Sequence, residues 1–187
     1  MRFWPAVGEL PPLMLSGLAR LTELAVLCCD DPHTPLTVGW TAEDGSGPQL
    51  RHLELWFCAA LPPSATPAAL RQLTHLHLDS LRGWGTLQAT LPQLAGLASL
   101  TLGQPNVYRD IEEQLSVTAV LQGAVRCAGL ATLNICFNQP LLEAVPLPHG
   151  ALSALTQLRL EYVKGPWLLP PSWCSLPSLQ DLTVGTE

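Results

Sequence analysis

Apolar residues recur along this chain in a nine-place phrase, Leu-x-x-Leu-x-Leu-x-x-Asn/Cys. Its fullest copy starts at Leu130 and runs through Leu133, Ile135 and Asn138. Another starts at Leu50, with Leu53, Leu55 and Cys58 in the same places. Further copies open at Leu21 (Leu24, Val26, Cys29), Leu73 (Leu76, Leu78), Leu97 (Leu100, Leu102), Leu155 (Leu158, Leu160) and Leu179 (Leu182, Val184). Successive first leucines lie 29, 23, 24, 33, 25 and 24 residues apart. Periods of this size mark stacked supersecondary units. The Leu-x-Leu part of each phrase alternates inward and outward, as a strand requires. No single unit can bury its own apolar face. The pattern therefore predicts parallel strands, about 4.8 Å apart, stacked into a solenoid.

The segments ahead of the phrases repeat as well. "LPPLMLSGLARL" (10–21), "LPPSATPAALRQL" (61–73), "LQATLPQLAGL" (87–97) and "LPPSWCSLPSL" (169–179) carry leucines at intervals of three. Proline excludes a long helix there, and a leucine every third residue suits a short 3₁₀ or α turn. Two connections break the rhythm. Residues 30–48 hold Pro, Gly, Asp and Ser without an apolar period and read as an irregular surface loop. The longest step contains an insert, 106–128, with a helix expected over about 110–128. Asp110 and Glu113 form a capping pair; Val117, Val120, Leu121, Ala124 and Ala128 share a face; Gly129 stops the helix. Trp4, Trp40, Trp84, Trp167 and Trp173 lie on connections and are expected to cover the core on that side.

The phrase resembles the leucine-rich repeat family over roughly residues 18–184. Its Leu-Pro segments are similar to the plant and bacterial style of that repeat. The resemblance implies an α/β horseshoe: about seven parallel strands on the concave side, short turns and one longer helix on the convex side. Residues 1–17 are expected to form a partial repeat or cap, and 18–187 the repeat domain. In this family the ninth-place Asn satisfies backbone groups where the strand turns away. Asn138 keeps it, Cys29 and Cys58 are the accepted substitute, and Leu81, Pro105 and Val163 predict less regular turns. The phrases stop at Val184 with no polar cap after them. That is expected of a fragment of a longer repeat protein; otherwise the uncapped C-terminal edge is where self-association is expected.

Composition narrows the partners. With 9 Lys and Arg against 15 Asp and Glu, the net charge is −6, which argues against nucleic acid and against a basic membrane-binding helix. The most apolar run, Leu10 to Cys29, is interrupted by Pro11, Pro12, Arg20 and Glu23, so no membrane span is expected. The N-terminal residues make a poor secretory signal, and no Asn-x-Ser/Thr site occurs. The six cysteines form no paired framework, so free thiols in a reducing compartment are expected, and the cytoplasm with them. Family resemblance alone extends that to the axoneme.

The outward strand places define a candidate partner-binding face. They bring forward His52, Glu54, Trp56, His75, His77, Asp79, Thr101, Asn134, Gln157, Arg159 and Glu161. Register places His52 beside His75, Glu54 beside His77 and Trp56 beside Asp79. Three imidazoles and two carboxylates have metal-ligand chemistry, but a flat sheet spreads them instead of closing a tetrahedron. No metal and no cofactor are expected. Histidine's unperturbed pKa near 6.5 predicts partner binding that changes between about pH 5 and 7. Exposed Trp56 suits an interface anchor, whereas Phe57, Phe137 and Tyr162 are expected to pack at the core edge. No Ser-His-Asp order, phosphate loop, His-Glu-x-x-His or Cys-x-x-Cys is present, so no enzyme is expected. The reading is a non-enzymatic protein-protein interaction scaffold. Its alternatives are the ligand-recognition fragment of a receptor-like kinase or immune receptor, and a substrate adaptor of a ubiquitin ligase.

Overall fold

The computed structural model describes residues 13–14, 20–27, 38–39, 49–56, 70–79, 87, 90–104, 122–137, 150–161, 173 and 175–185. Nine strands occur among them. They are β1 (Leu13–Met14), β2 (Glu23–Leu27), β3 (Val38–Gly39), β4 (His52–Trp56), β5 (His75–Asp79), β6 (Ser99–Gln104), β7 (Thr132–Phe137), β8 (Gln157–Glu161) and β9 (Asp181–Val184). Seven join one sheet in the order β2-β4-β5-β6-β7-β8-β9. Every neighbouring pair is parallel, and phrase aligns with phrase: Leu53 faces Leu76, Leu76 faces Leu100, Leu100 faces Leu133 and Leu133 faces Leu158. Each strand of this sheet is one repeat, so the described residues form a solenoid of seven stacked units.

The alternation does what the phrase requires. In β2 and β4 to β8 the two phrase residues within each strand, such as Leu78, Leu102 and Ile135, are no more than 2% exposed. The phrase-opening leucines Leu50, Leu73, Leu97, Leu130 and Leu155 are buried with them in one continuous cluster. Full burial of such a side chain contributes about 2 kcal/mol. On β9 the same places open out: Leu182 is 45% and Val184 38% exposed.

Leucines at intervals of three build the tight turn that enters each strand. The N–H of Leu73 donates to the carbonyl of Leu70, Leu94 to Leu91, Leu97 to Leu94, Leu155 to Leu152 and Leu179 to Leu176. Leu91–Gln93 is a 3₁₀ helix with proline in its first turn, where the absent N–H costs nothing. The second residue of each phrase then ties the repeats together. The carbonyls of Thr22, Arg51, Thr74, Ala98, Ala131 and Thr156 each accept two backbone N–H groups from the following repeat.

Two expectations change. Residues 30–48 are not wholly irregular, because Val38–Gly39 pairs in parallel with Leu13–Met14 as a separate two-stranded sheet. An isolated two-residue pairing leaves no apolar period to read. Of the helix expected over 110–128, residues 122–124 are helical, and 125–126 and 128–129 are turns. Ala124 is buried as expected, but Ala128 is exposed and Cys127 is buried in its stead. The cause is a change of period. Beyond Ala124 the chain adopts the same three-residue turn as its neighbours, with Cys127 N–H donating to Ala124 and Leu130 N–H to Cys127. Residues 110–121, with the capping pair Asp110 and Glu113, and the ninth-place Cys29, Cys58, Leu81, Pro105, Asn138 and Val163 lie outside the described residues. So are Trp4, Trp40, Trp84 and Trp167, whereas Trp173 is buried in the core.

Candidate functional site

Strands β4 to β8 carry every residue of the candidate face at alternate positions, between inward leucines. Each is half-buried or exposed. The register is the expected one: His52 pairs with His75, Glu54 with His77 and Trp56 with Asp79. Phe137 lies in β7, and Phe57 and Tyr162 fall outside the described residues.

The densest part of the face lies on β4 and β5. The imidazoles of His52 and His75 stack with centroids 5.4 Å apart and planes 12° from parallel. His52 Nε2 lies 3.1 Å from Glu54 Oε1, and His75 Nδ1 lies 2.9 Å from the Thr74 hydroxyl. Trp56 stacks on His77 with centroids 4.5 Å apart and planes at 28°. Trp56 and Glu54 alternate on one strand, Asp79 and His77 on the next. The two rings therefore occupy one diagonal of a four-residue patch, and the two carboxylates occupy the other. Burial pushes His77 below the ordinary histidine value. Glu54 and then Asp79 pull it upward, and His52 adds a smaller lowering.

Glycine occupies the place beside Asp79 on the next strand, Gly103 of β6. A Cβ there would lie 2.6 Å from Asp79 Oδ2, so the carboxylate fills space that any other residue would need. Gly103 holds an outward place of its phrase, and its role as the gap that Asp79 fills was not read from the sequence. Its signal was a glycine within a strand, which often marks close approach of another group.

The rest of the face is polar and locally paired. Asn134 Nδ2 donates to Thr101 Oγ1 at 3.3 Å, while Asn134 Oδ1 is buried without a donor. Arg159 donates to Glu161 on its own strand. Gln157 Nε2 donates to Asp181 Oδ2 at 3.3 Å. Cys136 is a free thiol on the outward side. Burial first, then the Glu161 and Asp79 carboxylates, push it up, against the pull of Arg159. Cys127, also free, lies in the core, donates to the Leu91 carbonyl at 3.5 Å and is pushed up to about 11 by burial.

Among the described residues, no three His, Cys, Asp or Glu side chains are placed to hold one metal ion. None of the described helices is long and apolar enough to cross a membrane. Comparison with family models, curated proteins and solved structures gives no match to this chain.

Proposed function

We propose that this chain is a leucine-rich repeat protein acting as a non-enzymatic interaction scaffold in the cytoplasm, with a protein partner bound on the concave, outward side of its strands. The observation that carries the reading is the clustering of Trp56, His52, His75 and His77 on one regular sheet face, flanked by Glu54 and Asp79. Half-exposed aromatic rings with polar neighbours are what interface anchors are made of. An open strand face displays side chains to a partner without enclosing a reacting group, which suits docking better than chemistry that needs water excluded. Thr101, Asn134, Gln157, Arg159 and Glu161 extend the same face toward β8 and supply polar contacts around the aromatic centre.

Affinity capture with the intact chain tests this. Proteins retained by the wild type are expected to be lost from both Trp56→Ala and His77→Ala, and kept by Arg126→Ala, an exposed turn residue away from the face. A captured set unchanged by either face substitution contradicts the reading.

A further inference from the structure

Among the described residues, outward strand positions of the sheet carry Glu23, Glu54, Asp79, Glu161 and Asp181, against one arginine, Arg159, and no lysine. That cation is engaged by Glu161 on its own strand. The exposed Arg20, Arg51, Arg71 and Arg126 all sit in the turns or bends that lead into strands, off the outward positions. Charge is thus segregated among the described residues: the outward strand positions are mainly acidic, and four of the five described arginines sit where the chain enters the strands.

The acidic face has a centre. The diagonal arrangement on β4 and β5 sets the Trp56–His77 stack between the Glu54 and Asp79 carboxylates. The four Cα atoms span about 4.8 Å by 6.6 Å, the strand separation and two residues' rise. Gly103 leaves room for the Asp79 side chain to lie over the sheet. An aromatic surface bordered by carboxylates attracts a planar cation twice over. The ring quadrupole favours positive charge above it. A guanidinium adds a rigid fork of donors that matches carboxylate oxygens, and its plane stacks on aromatic rings.

We infer that the Trp56–His77 stack, with Glu54 and Asp79, receives an arginine side chain from a basic segment of a protein partner. This rests on the scaffold reading and names the chemistry of the partner. The short arginine-bearing segment lies across β4 and β5, with its guanidinium over the aromatic diagonal and between the Glu54 and Asp79 carboxylates. Lysine binds in the same place more weakly, because an ammonium neither stacks nor forks.

Selection from a random peptide library on the intact protein tests the inference. The selected peptides are then measured against wild type, Trp56→Leu, Asp79→Asn and Asp181→Asn. Asp181→Asn changes the net charge as Asp79→Asn does, but lies on β9, four strands from β5. Melting curves of all variants establish that each is folded. The expected peptides are enriched in arginine and lose roughly tenfold in affinity with Trp56→Leu and with Asp79→Asn, but less than about twofold with Asp181→Asn. Equal losses with Asp79→Asn and Asp181→Asn would mean diffuse electrostatic adsorption and would overturn the inference. Peptides without basic residues that still depend on Trp56 would overturn it while leaving the scaffold reading in place. Peptides indifferent to every face substitution would overturn both.

Discussion

Trp56 stacks on His77, the diagonal neighbour, although its register partner across the strands is Asp79. Register fixes which Cα atoms are opposite. Sheet twist and side-chain rotamers then decide which rings meet, and large rings reach the diagonal. A double-mutant cycle with Trp56→Leu and His77→Leu isolates this contact. The expected coupling is about 1 kcal/mol, the usual size for a stacked pair. Additive effects in chemical denaturation would show that the rings are neighbours without mutual stabilisation.

Acid stability depends on His77. Burial holds its folded-state pKa below the ordinary 6.5, so the unfolded chain binds the proton more readily. Stability is therefore greatest above about pH 6.5 and falls as pH drops through the depressed folded value. Denaturation midpoints taken between pH 7.5 and 5 should fall for the wild type and fall less for His77→Gln. Equal slopes would remove His77 as the cause.

Core leucines and the β9 leucine should differ sharply. Leu133 is fully buried between the adjoining strands, and Leu133→Ala is expected to cost about 3 kcal/mol. Leu182 holds the same place in its phrase but is 45% exposed, so Leu182→Ala should cost less than about 1 kcal/mol. Comparable losses in urea titrations would mean that Leu182 is covered in solution.

Asn134 carries a buried carbonyl oxygen with no donor. An unsatisfied buried acceptor costs about 1–3 kcal/mol. A threonine in its place keeps a hydroxyl near Thr101 and suits a strand. Asn134→Thr should raise the melting temperature slightly or leave it unchanged; a clear loss of stability would show that the amide is satisfied in solution.

The sheet was legible because one phrase sets both period and register. Leu53, Leu76, Leu100, Leu133 and Leu158 can be aligned by counting, and the strands follow. The turn leucines were legible for the same reason. Cys127 was not, because a helical period was carried past Ala124 into a three-residue turn. The pairing of Leu13–Met14 with Val38–Gly39 was not, because two residues on each side make no pattern. On the face, alternation identified the outward residues and register placed them in rows. It could not show that Trp56 would choose His77, or that Asp79 would lean over Gly103, since both depend on side-chain rotamers.

Everything proposed for this chain requires the outward residues of successive repeats to share one surface. Nuclear Overhauser contacts between the ring protons of Trp56 and His77, and between those of His52 and His75, test this most directly. Both contacts should appear, without contacts from these rings to the methyl groups of Leu102 or Leu133. Rings that instead touch those core methyls would place the residues inside the solenoid and contradict the account.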